Sequence, residues 1–222
     1  MGLPEAFSPC IKPMNNNYDR TAGFYDKLSK VVFGNALVEA QRSVLHYIPE
    51  NAKILIAGGG TGAILEEISR IRAHGTAITY VEISEKMIAV ARKRNAGGNN
   101  VLFIHAAIET FHSDERFDVI ITSFLFDNFR QDKAAVVFNV LDNLLVRNGS
   151  WLFTDFNVEK NQSRIWQKWL LKSMYLFFKI FSNVEANELP ETGMLFRNAG
   201  YKLLFEKSFY RTFIRSWVYQ KP

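Results

Sequence analysis

Lys53-Ile54-Leu55-Ile56-Ala57-Gly58-Gly59-Gly60-Thr61-Gly62 is an apolar run that ends in a cluster of glycines. Ile64, Leu65, Ile68 and Ile71 follow at helical spacing. The stretch reads as strand, glycine turn and helix. Glycine lets the turn take positive φ and bring backbone close to a ligand. The helix behind it offers unpaired N–H groups in its first turn. A turn of this kind holds a nucleoside-bearing cofactor, and the rest of the chain has to say which.

Working outward, the helix after the turn runs to about Ala73, with His74-Gly75 closing it as a C-cap. A second strand is expected over residues 77–82. Ser84 reads as the N-cap of the next helix, with Met87 three residues on and the cations Arg92, Lys93 and Arg94 in its last turn. A third strand covers 101–105 and a fourth 117–123, an apolar run that suits a strand buried on both faces. A helix is expected from about Gln131 to Leu145, a fifth strand over 150–155, a helix near 191–198, and two final strands over 201–207 and 213–219. Ahead of the glycine turn, residues 18–47 carry helical spacing. Strands alternate with helices and no internal repeat breaks the order. That predicts an α/β fold, a parallel sheet flanked by helices, with ligands at the C-terminal strand edge near Gly58 and Ser123.

The chain of 222 residues fits one domain: an N-terminal helical cap over 1–50, a cofactor-binding core over 51–157, and a substrate-side helix with a C-terminal hairpin over 158–222. Cys10 is the single cysteine, so no intrachain disulfide forms, in keeping with a reducing cytoplasm. No signal peptide and no run of about 20 uncharged apolar residues is visible. The net charge of +5 comes from scattered Lys and Arg, and no nucleic-acid motif accompanies it.

Gly58, Gly60 and Ala63 satisfy the dinucleotide fingerprint, a weak signal alone. Glu82 lies about 20 residues on, at the end of the second strand, where a carboxylate accepts from ribose hydroxyls. Three features favour S-adenosylmethionine over a nicotinamide cofactor. Gly58, Gly60 and Gly62 alternate, a rhythm that closes around an amino-acid tail without a pyrophosphate. About fifty residues precede the first strand. The chain ends in two strands with no helix between them.

Several segments, taken in order, resemble the class I S-adenosylmethionine-dependent methyltransferases, and more closely the ubiquinone/menaquinone-biosynthesis C-methyltransferase group. They are AGFYDKLSKVVFG at 22–34, ILIAGGGTG at 54–62, YVEISEKMIAVAR at 80–92, FDVIITSFLFDNFRQDKAA at 117–135 and LLVRNGSWLFTDF at 144–156. The resemblance implies a Rossmann-like seven-stranded sheet with a reversed last strand. It also implies roles. Gly58, Gly60 and Gly62 would shape the methionine-binding loop, and Glu82 would take the ribose. Ile83 and Met87 would flank the adenine, and Ala107 and Ile108 would offer backbone groups to its edge. Ser123 would lie beside the methionine tail, and Tyr25 would close over the cofactor. Two positions depart from the family. Ile56 stands where an acid is usual, and Ala107 where Asp or Asn is usual. Each missing charge-assisted hydrogen bond is worth on the order of 1.5–3 kcal/mol, so either affinity falls by about one to two orders of magnitude or other groups compensate.

Methyl transfer needs a base only when the nucleophile arrives protonated. Asp127, in the loop after the fourth strand, is the candidate; Asp155 and His105 are weaker ones. A loop or capping carboxylate is the plainer reading of Asp127. No His or Cys spacing suggests a metal. Residues 165–181 combine aromatic and aliphatic side chains with Lys168, Lys172 and Lys179. Such a helix packs on the sheet or a partner, roofs an apolar acceptor, or touches a membrane surface. The expectation is a methyltransferase of a small apolar or aromatic acceptor, with peripheral membrane contact through 165–181 and a homodimer both open. The alternatives are a non-catalytic relative and a nicotinamide-dependent oxidoreductase.

Overall fold

The computed structural model describes residues 33–157 and 189–222. Seven strands form one sheet: β1 (Lys53–Ala57), β2 (His74–Glu82), β3 (Gly98–His105), β4 (Phe117–Ser123), β5 (Leu145–Phe156), β6 (Lys202–Phe209) and β7 (Ile214–Gln220). Their order is β3-β2-β1-β4-β5-β7-β6. The pairs among β1 to β5 are parallel, and β7 runs antiparallel to both β5 and β6. This is the seven-stranded sheet with a reversed last strand that the sequence led us to expect.

Among the described residues, five α-helices accompany the sheet: α1 (Ala36–Leu45), α2 (Ala63–Ile71), α3 (Glu85–Ala91), α4 (Gln131–Leu144) and α5 (Thr192–Asn198). β1 explains how they are held. Its side chains alternate between faces, and both faces are apolar. Ile54 and Ile56 join Ile64, Leu65 and Ile68 of α2 and Val44 and Leu45 of α1. Leu55 and Ala57 join the opposite core, built around Phe138 and Leu141 of α4, Phe196 of α5 and Trp151. Trp151 sits flat against Phe138, with ring centroids 5.2 Å apart. A third cluster of Phe33, Phe156, Phe213 and Ile214 covers the C-terminal end of β5.

Register brings the C-terminal strand ends to one edge. Ala57 is opposite Val81 and Thr122, and Ser123 is opposite Thr154. The antiparallel pairing of Phe156 with Ile214 puts the β6–β7 hairpin tip at that same edge.

Four boundaries differ from the sequence reading. α2 ends at Ile71, and His74-Gly75 opens β2 instead of closing the helix. Gly75 has φ +91 and lies in a register shift between His74 and Ala77, so it serves a bulge. β3 starts three residues early, at Gly98. α3 stops at Ala91, and Arg94 beyond it donates to the Thr61 carbonyl at 3.1 Å. β5 begins at Leu145, pairs first with Phe117, and shifts register before Ser150.

Candidate active site

The glycine turn continues β1. Gly58 N–H donates to the Val81 carbonyl at 2.9 Å, extending the ladder by one residue. Gly60 has φ +62, and Gly62 has φ +77 as the N-cap of α2. Both conformations strain any side chain. A Cβ on Gly62 would also sit 2.6 Å from the Ala91 Cβ and 2.8 Å from its Cα, so α3 passes directly against the turn. A Cβ on Gly60 would meet nothing within 4 Å, so this residue faces open space at the strand edge.

Glu82, at the end of β2, closes on the turn. Its two oxygens accept from Gly60 N–H and Ser84 N–H, each at 2.9 Å. The residue is only 5% exposed. Burial pushes its carboxyl above the ordinary range, while the amides of Ser84, Gly60 and Ile83 and the nearby His105 pull it back. Ser84 caps α3 as its sequence suggests, accepting from Met87 N–H at 3.2 Å. His105, at the end of β3, binds the Ile83 carbonyl through Nε2 at 2.9 Å. Ala106 N–H donates to the Glu82 carbonyl at 3.2 Å, which draws the following Ala107 and Ile108 toward the end of β2. Met87, Ala107 and Ile108 are buried and Ile83 is half-buried. The glycines, Glu82, Ile83, Ala107 and Ile108 therefore gather at one edge. Ser123 ends β4 there, and the Leu125 side chain packs on the Gly58 Cα. Tyr25 and residues 165–181 lie outside the described residues.

Asp127 is tucked into the short turn Phe126–Asn128 and is 7% exposed. Its Oδ1 accepts from Asn128 Nδ2 at 2.9 Å. Asp155 lies close by on β5, and its oxygens accept from Phe126 N–H at 3.1 Å and Phe156 N–H at 2.8 Å. Asp155 thereby fastens the loop after β4 onto β5. Burial raises its carboxyl to about 7, against the pull of those amides. Burial and the neighbouring Asp155 push Asp127 well above the usual carboxylate range. Two carboxylates sharing a dry site do not both ionise easily, so the pair favours the protonated form of Asp127.

Phe124, first in the loop after β4, has φ +54, and its N–H donates to the Thr154 carbonyl at 2.8 Å. Its ring centroid lies 5.0 Å from that of Phe156. Phe156 in turn packs on Phe33 at 5.6 Å and Phe213 at 5.2 Å, and Tyr210 meets Phe33 at 5.3 Å. This strand edge is thus bordered by an aromatic cluster drawn from four separate segments, which no single window of sequence displays. Tyr80 lies under the glycine turn, and its hydroxyl donates to the Gly60 carbonyl at 2.8 Å. In sequence its one signal is its place two residues before Glu82, on the same strand face.

The sheet order with its reversed β7, and a glycine loop met by an acid from β2, define the class I methyltransferase architecture. Residues 54–149 match the family model described as a methyltransferase domain. The ubiquinone/menaquinone biosynthesis C-methyltransferase of Wigglesworthia glossinidia brevipalpis is 36% identical over 95 residues, 40% of this chain and 38% of that protein. A malonyl-[acyl-carrier protein] O-methyltransferase of Ilyobacter polytropus is 26% identical over 145 residues, 65% of this chain and 52% of that protein. The chain thus spans about half the length, or less, of these curated relatives. Among solved structures, the magnesium protoporphyrin IX methyltransferase of Synechocystis PCC 6803 with bound S-adenosylhomocysteine superposes with a TM-score of 0.64. It shares 14% identity, over 93% of this chain and 100% of that one. The family match and the ubiquinone/menaquinone relative bear out the resemblance to class I methyltransferases near that group. Among the described residues no helix is long and apolar enough to cross a membrane.

Proposed function

We propose that the chain is an S-adenosylmethionine-dependent methyltransferase acting on a small acceptor of apolar or aromatic character. The observation that carries this reading is the closure of Glu82 on the glycine turn. A carboxylate has about four acceptor positions, and backbone amides use three here, which leaves capacity for a ribose hydroxyl. The open side of Gly60 gives the methionine tail its place, with Gly58 and Gly62 shaping the loop and Ser123 beside it. Ile83 and Met87 flank the adenine, and the backbone at Ala107 and Ile108 meets its edge. Tyr25, outside the described residues, keeps the role of closing over the cofactor that the family resemblance implies. When bound, S-adenosylmethionine supplies a methyl group activated by its sulfonium.

The chain's own contribution is alignment and exclusion of water. Phe124, Phe156, Phe33, Phe213 and Tyr210 make the neighbouring edge aromatic, which supports an apolar or aromatic acceptor. The relatives named above act, by their names, in quinone biosynthesis and on a malonyl-acyl carrier protein, so carbon and oxygen acceptors both belong in the test. Burial and the neighbouring Asp155 favour the protonated form of Asp127, which weighs against its acting as a general base.

The test is transfer of a labelled methyl group to a panel of phenols, quinols, amines and carboxylic acids. We expect product with an apolar phenol or quinol. Product only with a polar amine would contradict the acceptor reading. The second reading, a non-catalytic relative, is favoured by the apolar, buried Ile56 and Ala107; it predicts no transfer to any acceptor.

A further inference from the structure

We propose that Tyr80 is a positioning residue of the cofactor site, clamping Gly60 against β2 in concert with Glu82. The proposal rests on the cofactor reading above and names the device that shapes its loop. Tyr80 and Glu82 are two residues apart on β2, so their side chains leave the same face of the strand. Tyr80 Oη donates to the Gly60 carbonyl at 2.8 Å, and Gly60 N–H donates to Glu82 Oε2 at 2.9 Å. These two bonds hold the peptide groups on either side of the Gly60 Cα, and so hold its φ and ψ. Glycine has more backbone freedom to lose than any other residue, so fixing it before the ligand arrives removes an ordering cost from binding.

The surroundings are shaped for this contact. Tyr80 is fully buried, and its ring fits only because Gly59 lacks a side chain. A Cβ there would lie 2.2 Å from the ring. On β1 the residue in register with Tyr80 is Ile56, which is 2% exposed and brings no polar group. The side-chain hydrogen bonds on Gly60 thus come from β2. The face of Gly60 that remains open is the one left for ligand.

Tyr80→Phe keeps the ring under Gly59 and removes only the hydroxyl. Two measurements on this variant and the parent protein test the clamp: hydrogen exchange of the unliganded proteins, and calorimetry with S-adenosylhomocysteine. We expect exchange over residues 58–62 to speed up at least about fivefold, with the rest of β1 and β2 unchanged. We expect the dissociation constant to rise about tenfold, the effect of one hydrogen bond. Unchanged exchange over 58–62 would overturn the proposal. So would a general loosening of β1 and β2 with unchanged ligand affinity, because that is the signature of a packing role alone. If the parent protein binds no S-adenosylhomocysteine, the cofactor reading fails, while the exchange measurement still decides whether the clamp exists.

Discussion

Asp127 and Asp155 show how much a residue's neighbours change its chemistry. Both are ordinary carboxylates in sequence, and both end in a dry site where charge is costly. Their raised proton affinity makes stability depend on pH with a definite sign. The native state binds more protons than the unfolded chain wherever pH lies between the ordinary carboxylate range and the raised one. For Asp155 that window runs from its ordinary 3.8 to about 7. The stabilising contribution is complete below the ordinary value and is lost as pH rises through the raised one. Glu82, also raised, acts in the same direction. Thermal melting followed from pH 5.5 to 8.5 should therefore show a falling midpoint. Asp127→Asn, which removes one titrating group and a like-charge neighbour of Asp155, should make the fall shallower. An identical slope in the variant would mean that the pair does not govern it. The same residues explain a limit of the sequence reading. Asp127 was legible as a polar residue in the right loop. Its protonation depends on Asp155, which approaches only once β4 and β5 are paired.

At the scale of elements, the β1–turn–α2 unit was legible because every signal in it is local. The apolar run, the glycines and the helical spacing follow one another without a gap over residues 53–71. Two boundaries differ from those the local signals suggest. Gly75 resembles a helix C-cap but serves a bulge in β2. The gap between the helix expected to about Leu145 and the strand expected from residue 150 is itself strand, the first part of β5. The clamp by Tyr80 was not legible either, since it needs the register of β1 on β2. The glycine turn itself leaves little latitude for substitution. Gly62→Ala would combine positive φ with a Cβ pressed on the backbone of Ala91. We expect a loss of about 2–4 kcal/mol in chemical denaturation, from αL strain together with overpacking. A loss under about 0.5 kcal/mol would show that α3 moves aside freely.

At the scale of the whole molecule, strand order puts the functional groups where no stretch of sequence has them. β1 sits centrally between β2 and β4, so its turn lies between Glu82 and Ser123. The reversed β7 carries the hairpin tip back to the same edge, where Tyr210 and Phe213 join Phe33, Phe124 and Phe156. The fold class was readable from alternation of strands and helices, because parallel sheets require it. The aromatic border was not, because it is assembled from residues distant along the chain. The central claim is that the glycine turn and Glu82 hold S-adenosylmethionine and not a nicotinamide cofactor. Calorimetric titration of the protein with S-adenosylhomocysteine and, separately, with NADH tests it most directly. The account predicts saturable one-to-one binding of S-adenosylhomocysteine and no heat beyond dilution from NADH; binding of NADH alone, or of neither ligand, would contradict it.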